Sequence, residues 1–384
     1  MSGATRWSDQ SPGTEAGGPA PMCGLEWPIQ QSPLARGQTM TNWKLGLLIG
    51  AVALNVALSP ALAGEEVVFA GFGGQYQSNV RKALFDPAGS ALGVGVSEES
   101  HSGLASVRVQ VQSGQPGWDI VQLGEADCAR GQDEGLFEPL DYSLIDVDGI
   151  APEAHGPSFI GSNYVSVILA WNKEKYGDHP PRDWKDFWNP QAFPGRRAMH
   201  IYPQESFEIA LLADGVPKDE VYPIDVERAL ASLEKIKPSI DVFWQSGAQA
   251  AQLLKDGEVD MMVIWGSRVA SVLADGAPVD FTYQDGLLGF GCFAIPKGAK
   301  NVDAARKMIG KMVSPEIQAN IPEYLDYYGP INSRAFEVKA FSEGALAKAN
   351  SSPQNRARQL AIQPQWWAEN IAAVQERYRA LIAQ

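Results

Sequence analysis

An apolar run from Val259 to Trp265, interrupted only by Asp260, follows the turn signal Asp256-Gly257. Such a short run predicts a strand buried on both faces, the kind found in parallel sheets. Before it, Ser246 to Lys255 carries apolar residues at helical spacing, and Arg268 to Leu273 begins another helix after it. The order is helix, buried strand, Trp265-Gly266-Ser267-Arg268, helix. In open α/β sheets, ligands bind just past the carboxyl ends of such strands. Trp265 and Arg268 are therefore expected at a cleft mouth, one offering an aromatic face and the other a fixed charge. The competing reading makes Trp265 core and Arg268 a solvated surface cation, and this stretch alone leaves both open.

The chain has 384 residues, enough for two domains with sizeable cores. Its net charge of −14, with no basic cluster, makes nucleic acid and anionic membrane surfaces poor partners, and no nucleic acid is expected. Cys23, Cys128 and Cys292 show no paired spacing, and His101, His155, His179 and His200 are scattered, so no zinc signature can be assembled. No cofactor or metal site is expected.

Residues 1–39 are rich in Gly, Pro and Ser and lack any period, which suggests an over-extended or non-native segment. From Met40 the pattern changes. A short positive stretch ending at Lys44 precedes an apolar stretch, Leu45 to Leu58, broken only by Asn55, and Ala61-Leu62-Ala63 supplies small residues at −3 and −1. Residues 40–63 are read as a secretory signal peptide cleaved after Ala63, because the apolar run is too short to span a membrane comfortably. The expected location is the periplasm.

The mature chain opens with a strand at Glu65 to Ala70, then Gly71-Phe72-Gly73-Gly74-Gln75-Tyr76, then a helix from about Gln77 to Leu84. A dinucleotide fingerprint would need a third glycine where Tyr76 stands. The more general use of this geometry is an anion site, with the Gly73 and Gly74 amides beside a helix N-terminus; a tight turn without ligand is the alternative. A helix at Ala105 to Ser113 and a buried strand, Trp118 to Leu123, repeat the layout and end at Gly124-Glu125. Tyr164 to Trp171 is the next strong strand, with a crossing between domains expected near Ile168. Further elements are a strand at Ala198 to Tyr202, a helix at Pro203 to Ala213 with Pro in its first turn, and a helix at Asp225 to Ile236. Phe281 to Pro296 reads as paired strands, with Gly286, Gly289 and Gly291 marking close backbone approaches. A helix at Val302 to Met312 and an amphipathic tail from Gln365 complete the series.

Trp118-Asp-Ile-Val, Asp183-Trp-Lys-Asp-Phe-Trp188, Tyr222-Pro-Ile-Asp-Val-Glu-Arg228, Gly257-Glu-Val-Asp-Met-Met with Trp265, and Ala294-Ile-Pro-Lys-Gly-Ala-Lys-Asn301 follow one another in this order. In order and spacing they resemble the spermidine/putrescine-type periplasmic solute-binding proteins of ABC importers, over roughly 65–384. The resemblance implies a two-lobed α/β periplasmic binding protein fold of type II, with a hinge of crossing strands and the ligand cleft between the lobes. Lobe one is then 65–167 plus 290–333, and lobe two 168–289 plus 334–384. It also implies a non-enzymatic, monomeric protein that captures a small amine-bearing solute, polyamine or ω-amino-acid-like, and delivers it to ABC permease subunits at the inner membrane.

Departures from that family refine the expected ligand. Polyamine binders hold ammonium groups with carboxylates and stack the methylene chain on aromatic rings. Glu205 matches one such acid, whereas two companion acids fall on Tyr202 and Gly291, and Arg268 adds a cation. A diamine would meet too little negative charge to offset its desolvation. A ligand with one amine, facing Glu205 or Glu125, and one carboxylate, facing Arg268 or the Gly73 and Gly74 amides, fits better. The expected ligand-binding set is Phe72, Gly73, Gly74, Tyr76, Glu125, Glu205, Trp244, Trp265 and Arg268. Three alternatives stand beside it: an iron-binding member of the same fold using Tyr327-Tyr328, a secreted hydrolase, and, for Cys128 and Cys292, a disulfide whose separation the sequence does not fix.

Overall fold

The computed structural model describes residues 65–383, so the leader readings on residues 1–63 lie outside the described residues. One mixed sheet organises the chain. Its strands are β1 (Glu66–Gly71), β2 (Gly95–Ser100), β3 (Ile120–Gly124), β4 (His155–Gly156), β5 (Phe159–Asn172), β6 (Arg197–His200), β7 (Val242–Trp244), β8 (Met261–Trp265), β9 (Val279–Ala294), β10 (Gly329–Pro330) and β11 (Leu360–Ala361). The main order is β2-β1-β3-β9-β5-β8-β6-β7.

The two long central strands join the halves. β5 and β9 run antiparallel from Phe159 opposite Ala294 to Asn172 opposite Val279, with irregularities at Gly161/Asn163 and Val167/Leu169. Their first and last portions belong to different cores. One cluster takes residues up to Tyr164 in β5 and from Leu288 onward in β9. From Val167 and up to Leu287, alternate residues feed two further clusters: Leu169, Met261 and Val263 face one, and Ile168, Met262 and Ile264 the other. Successive strand residues point to opposite faces, which is why β8, Met261–Trp265, is apolar throughout rather than alternating. β8 is parallel to β6 on one side and antiparallel to β5 on the other.

Three local features depart from the sequence reading. Residues Phe281 to Pro296 do not form paired strands but lie almost wholly in the single strand β9. Its glycines are, as expected, places of close approach. A Cβ at Gly286 would come within 3.2 Å of the Val167 carbonyl, at Gly289 within 2.9 Å of Glu125 Oε1, and at Gly291 within 2.7 Å of Ser162 Oγ. The segment at Pro203 is not helical from its start. Gln204 is extended (ψ 137°) and Glu205 sits at φ 75°, so regular helix begins at Ser206. The opening helix is longer than expected, running from Gly74 through a π turn at Arg81–Phe85 to Leu92. Pro87 lacks an N–H, and the Ala83 carbonyl four residues back accepts from Asn320 Nδ2 at 3.1 Å instead.

Candidate ligand cleft

The carboxyl ends of β1, β3 and β8 open on a cleft of about 340 Å³. Of the nine expected residues, Phe72, Gly73, Tyr76, Glu125, Trp265 and Arg268 line it, with Phe290, Gly291, Tyr327 and Tyr328 among the others. Gly74, Glu205 and Trp244 do not. Its size is at the lower end of small-molecule sites, and its walls are largely aromatic, as such sites usually are.

The β1 side contributes aromatic surface. Phe72 is 51% exposed and meets His101 edge-on at 5.6 Å. Gly73 adopts φ 72°, which a side chain would resist. Its amide donates to Gln77 Oε1 at 2.8 Å and is not free to hold an anion as expected, and Gly74 sits behind it as the first helical residue. Tyr76 packs on Tyr328 with ring centres 5.2 Å apart. Its hydroxyl donates to Asn163 Oδ1 at 2.9 Å and accepts from Gln122 Nε2 at 2.8 Å, while Gln122 Nε2 also reaches Ser162 Oγ at 2.8 Å. This network fills the space above Gly291. A carboxylate side chain at 291 would collide with Ser162, so the position is apolar and small for steric reasons as well as chemical ones.

Glu125 is the first residue of the helix Glu125–Asp133 that follows β3, and it is only 6% exposed. Its Oε1 accepts from Gln204 Nε2 at 2.7 Å. Burial pushes this carboxyl up to about 8; hydrogen bonds from its own amide and that of Phe290 oppose the rise, and the nearby Glu205 and Glu208 charges add to it. No basic side chain lies within ion-pair reach of Glu125 among the described residues.

Glu205 and Trp244 stand behind the cleft wall. Glu205 Oε2 is 3.2 Å from Nε2 of the fully buried His200. The Tyr202 amide donates to His200 Nδ1 at 3.3 Å. Trp244 is wholly buried, donates its indole N–H to the Val263 carbonyl at 3.0 Å, and supports Trp265 edge-on at 4.9 Å. Tyr202 lies nearly parallel to Trp265, 6.1 Å away, with its hydroxyl donating to the Gln245 carbonyl at 2.6 Å. The polar-for-aromatic exchange at 202 thus thickens the aromatic wall.

Arg268 is the third residue of the helix Gly266–Ala274 after β8 and is exposed. Its guanidinium rests against Gly247, where any Cβ would strike it. It lies beside Tyr328, whose phenol burial pushes up and the Arg268 charge draws down. Among the described residues it has no carboxylate partner, unlike Arg228 or Arg377 on the same half of the chain.

Two features escaped the sequence reading. Glu208, wholly buried, accepts from Tyr222 Oη and from Trp367 Nε1 at 2.6 Å, and burial pushes it up to about 7. Gln204 gave no sign of its role because neutral amides carry no charge pattern. Cys128 and Cys292, left open before, are joined; their Cα atoms are 6.6 Å apart across 164 residues of chain. The bond ties the helix led by Glu125 to β9 beside Gly291. Among the described residues no group of three or more His, Cys, Asp or Glu side chains could hold a metal ion.

The description "bacterial extracellular solute-binding protein" belongs to the family model that matches residues 91–349. A γ-aminobutyric acid-binding protein of Pseudomonas aeruginosa is 29% identical over 340 residues, covering 86% of this chain and 95% of that protein. The spermidine/putrescine-binding periplasmic protein of Escherichia coli K12 is 23% identical, covering 76% of this chain and 85% of that protein. Among solved structures, the binding protein MotA of A. tumefaciens B6, in complex with glucopine, is 37% identical with a TM-score of 0.74, covering 83% of this chain and 99% of that one.

Proposed function

The chain belongs to the bacterial extracellular solute-binding protein family, and from that footing we propose that it captures a small solute bearing one amine and one carboxylate for an ABC importer. Its lobes, on this reading, are 65–167 with 290–333 and 168–289 with 334–384; the change of core between Tyr164 and Val167 and at Leu287/Leu288 supports that division. It acts in the periplasm after cleavage behind Ala63, as a monomer that hands its solute to the permease and performs no chemistry on it.

The observation that carries the ligand class is the pairing of one acid, Glu125, with one unpaired cation, Arg268, in a single aromatic cleft. A diamine would find one carboxylate and a repelling guanidinium. An ω-amino acid finds a counter-charge at each end, with Phe72, Tyr76, Tyr328 and Trp265 covering the methylenes. The Pseudomonas relative that binds γ-aminobutyric acid supports this choice over the polyamine relative, being more similar over more of the chain. The glucopine complex supports a second reading, in which the bound amino acid carries a larger substituent.

Calorimetry with γ-aminobutyrate, putrescine, butyrate and glucopine tests this. γ-Aminobutyrate or glucopine is expected to bind, and Arg268→Ala to weaken binding by roughly 2–4 kcal/mol, the range for truncating one partner of a desolvated charge pair. Arg268→Lys restores only part, lacking the two-pronged donor set. Tight putrescine binding that is indifferent to Arg268 would refute the amino-acid reading.

A further inference from the structure

Glu125 faces the cleft without any cation to balance it. It is all but removed from solvent, and its single side-chain partner is a neutral amide. The charged groups that face it repel a negative charge. Glu205 and Glu208 approach from the segment after β6, and both raise its proton affinity. Behind Glu205 stands His200, whose Nε2 is directed at Glu205 rather than at Glu125. On the helix of Glu125 itself, Asp127 and Arg130 pair with each other. The neighbouring helix Leu104–Gln112 commits Arg108 to Glu134, and from the C-terminal helix Gln365 reaches Asp133 and Glu369. On the β9 side stand Gly289 and the Phe290 amide, and Cys128, being disulfide-bonded, does not titrate. Arg268 and the Tyr76 and Tyr328 phenols line the same cleft, but neither Arg268 nor either phenol is among the causes that set Glu125's proton affinity.

Glu208 repeats the situation one layer deeper. It is wholly buried, receives only neutral donors from Tyr222 and Trp367, and leaves Oε2 without a partner. Two buried acids and Glu205, without a lysine or arginine among them, cannot all carry charge in a site of low polarity. A cation must enter, or protons must stay.

We infer that Glu125 is a neutral carboxylic acid in the empty protein and exchanges its proton for the ammonium group of the arriving solute. This rests on the amine-bearing ligand proposed above. The exchange balances: the O–H bond of Glu125 breaks, its proton leaves through the open cleft to solvent, and the carboxylate so formed pairs with the N–H bonds of the ammonium. Neutral acid plus ammonium becomes carboxylate–ammonium plus one released proton. Gln204 donates to Oε1 in both states, because an amide N–H serves acid and carboxylate alike. It thereby holds the carboxyl in place while Oε2 changes partner.

The exchange explains how a cleft can carry an acid for the ligand without closing on its own Arg268. An ionised Glu125 in the empty site would compete for that guanidinium; a neutral one does not. It also sets selectivity, since only a ligand group with a positive charge and N–H donors can replace the proton.

Calorimetry of γ-aminobutyrate binding at pH 7 in two buffers of different ionisation enthalpy tests the exchange. Close to one proton, about 0.9 for a group at about 8, should be released per ligand. Affinity should rise about tenfold per pH unit from 6 to 7 and level off above 8. Glu125→Gln should abolish the proton release. Binding with buffer-independent heat in the wild type overturns the exchange while leaving the amine-bearing reading intact; absence of binding by any amine in the panel removes that reading instead. Difference infrared spectra of the empty wild type minus Glu125→Gln at pH 6 decide the protonation state without any ligand. A carboxylic-acid C=O band is expected, converting to carboxylate at pH 9, and a carboxylate band at pH 6 overturns the inference. A control keeps the fold in view: the two proteins should melt alike at pH 4, where the side chain at 125 is largely neutral folded and unfolded.

Discussion

The substitution Glu208→Gln should make the protein more stable at pH 8 and leave it nearly unchanged at pH 4. The side chain is wholly buried, its donors are the neutral Tyr222 and Trp367, and burial carries its carboxyl from 4.5 to about 7. The sign follows from that rise. A folded value above the unfolded one means the native state holds the proton more tightly, so the associated stability is fully present below 4.5 and is lost as pH climbs through about 7. Each unit of displacement corresponds to about 1.4 kcal/mol, which gives at most about 3 kcal/mol at pH 8. The variant's amide oxygen still accepts from Trp367 and Tyr222, but the side chain never ionises, so it escapes that loss. For a chain of this size the gain amounts to a melting shift on the order of 5 °C. Melts of empty wild type and variant, followed by circular dichroism from pH 4 to 8.5, should draw apart between about pH 4.5 and 7 and keep a constant separation above that. Parallel curves across the whole window would refute the reasoning, since they would mean that Glu208 carries its charge as easily folded as unfolded.

Gly291→Ala places a methyl group 2.7 Å from Ser162 Oγ and should cost about 1–3 kcal/mol in denaturant unfolding; Ser162→Ala in the same chain should return much of it, and full additivity of the two would mean the contact is not the cause. Saturating γ-aminobutyrate should lower the radius of gyration in solution scattering and perturb tryptophan emission through Trp265, which lines the cleft and rests on Trp244. Bound ligand with neither change would remove a closing motion from the mechanism.

The sequence made the sheet legible where burial leaves a continuous trace. β8, Met261–Trp265, is apolar because it is covered on both faces, and the helices around it follow from spacing alone. The turn at Gly73-Gly74 and the aromatic residues beside it were equally visible. What the sequence hid was the state of polar groups. Nothing local tells that the Gly73 amide is spent on Gln77, or that Glu205 turns through φ 75° toward His200, because both depend on partners brought in by the fold. Glycines in β9 read as close approaches, but the sequence gives no sign of what approaches, and only the fold brings Ser162 and Glu125 to them. The Cys128–Cys292 pairing spans 164 residues, beyond anything spacing can fix.

On the proposed reading, the two charges of the site belong to different lobes, and that division bears on how capture is coupled to closure. Glu125 leads a helix behind β3, and Arg268 is the third residue of one behind β8, while β5 and β9 are the long connections between them. A ligand shifts an open–closed equilibrium only by contacts that one state makes better than the other. Butyrate can satisfy Arg268 and putrescine can satisfy Glu125, yet butyrate leaves Glu125 a neutral acid with nothing to pair and putrescine sets its second ammonium against Arg268, so neither gains by drawing the lobes together. A solute with both groups gains only when both are reached at once. The aromatic layer strengthens that bias, because Tyr76 comes from one half and Trp265, backed by Tyr202, from the other. Closure then excludes water from two charge pairs together, where each becomes stronger as the surroundings become less polar. The selectivity of such a protein resides less in either pocket than in the requirement that one molecule fill both.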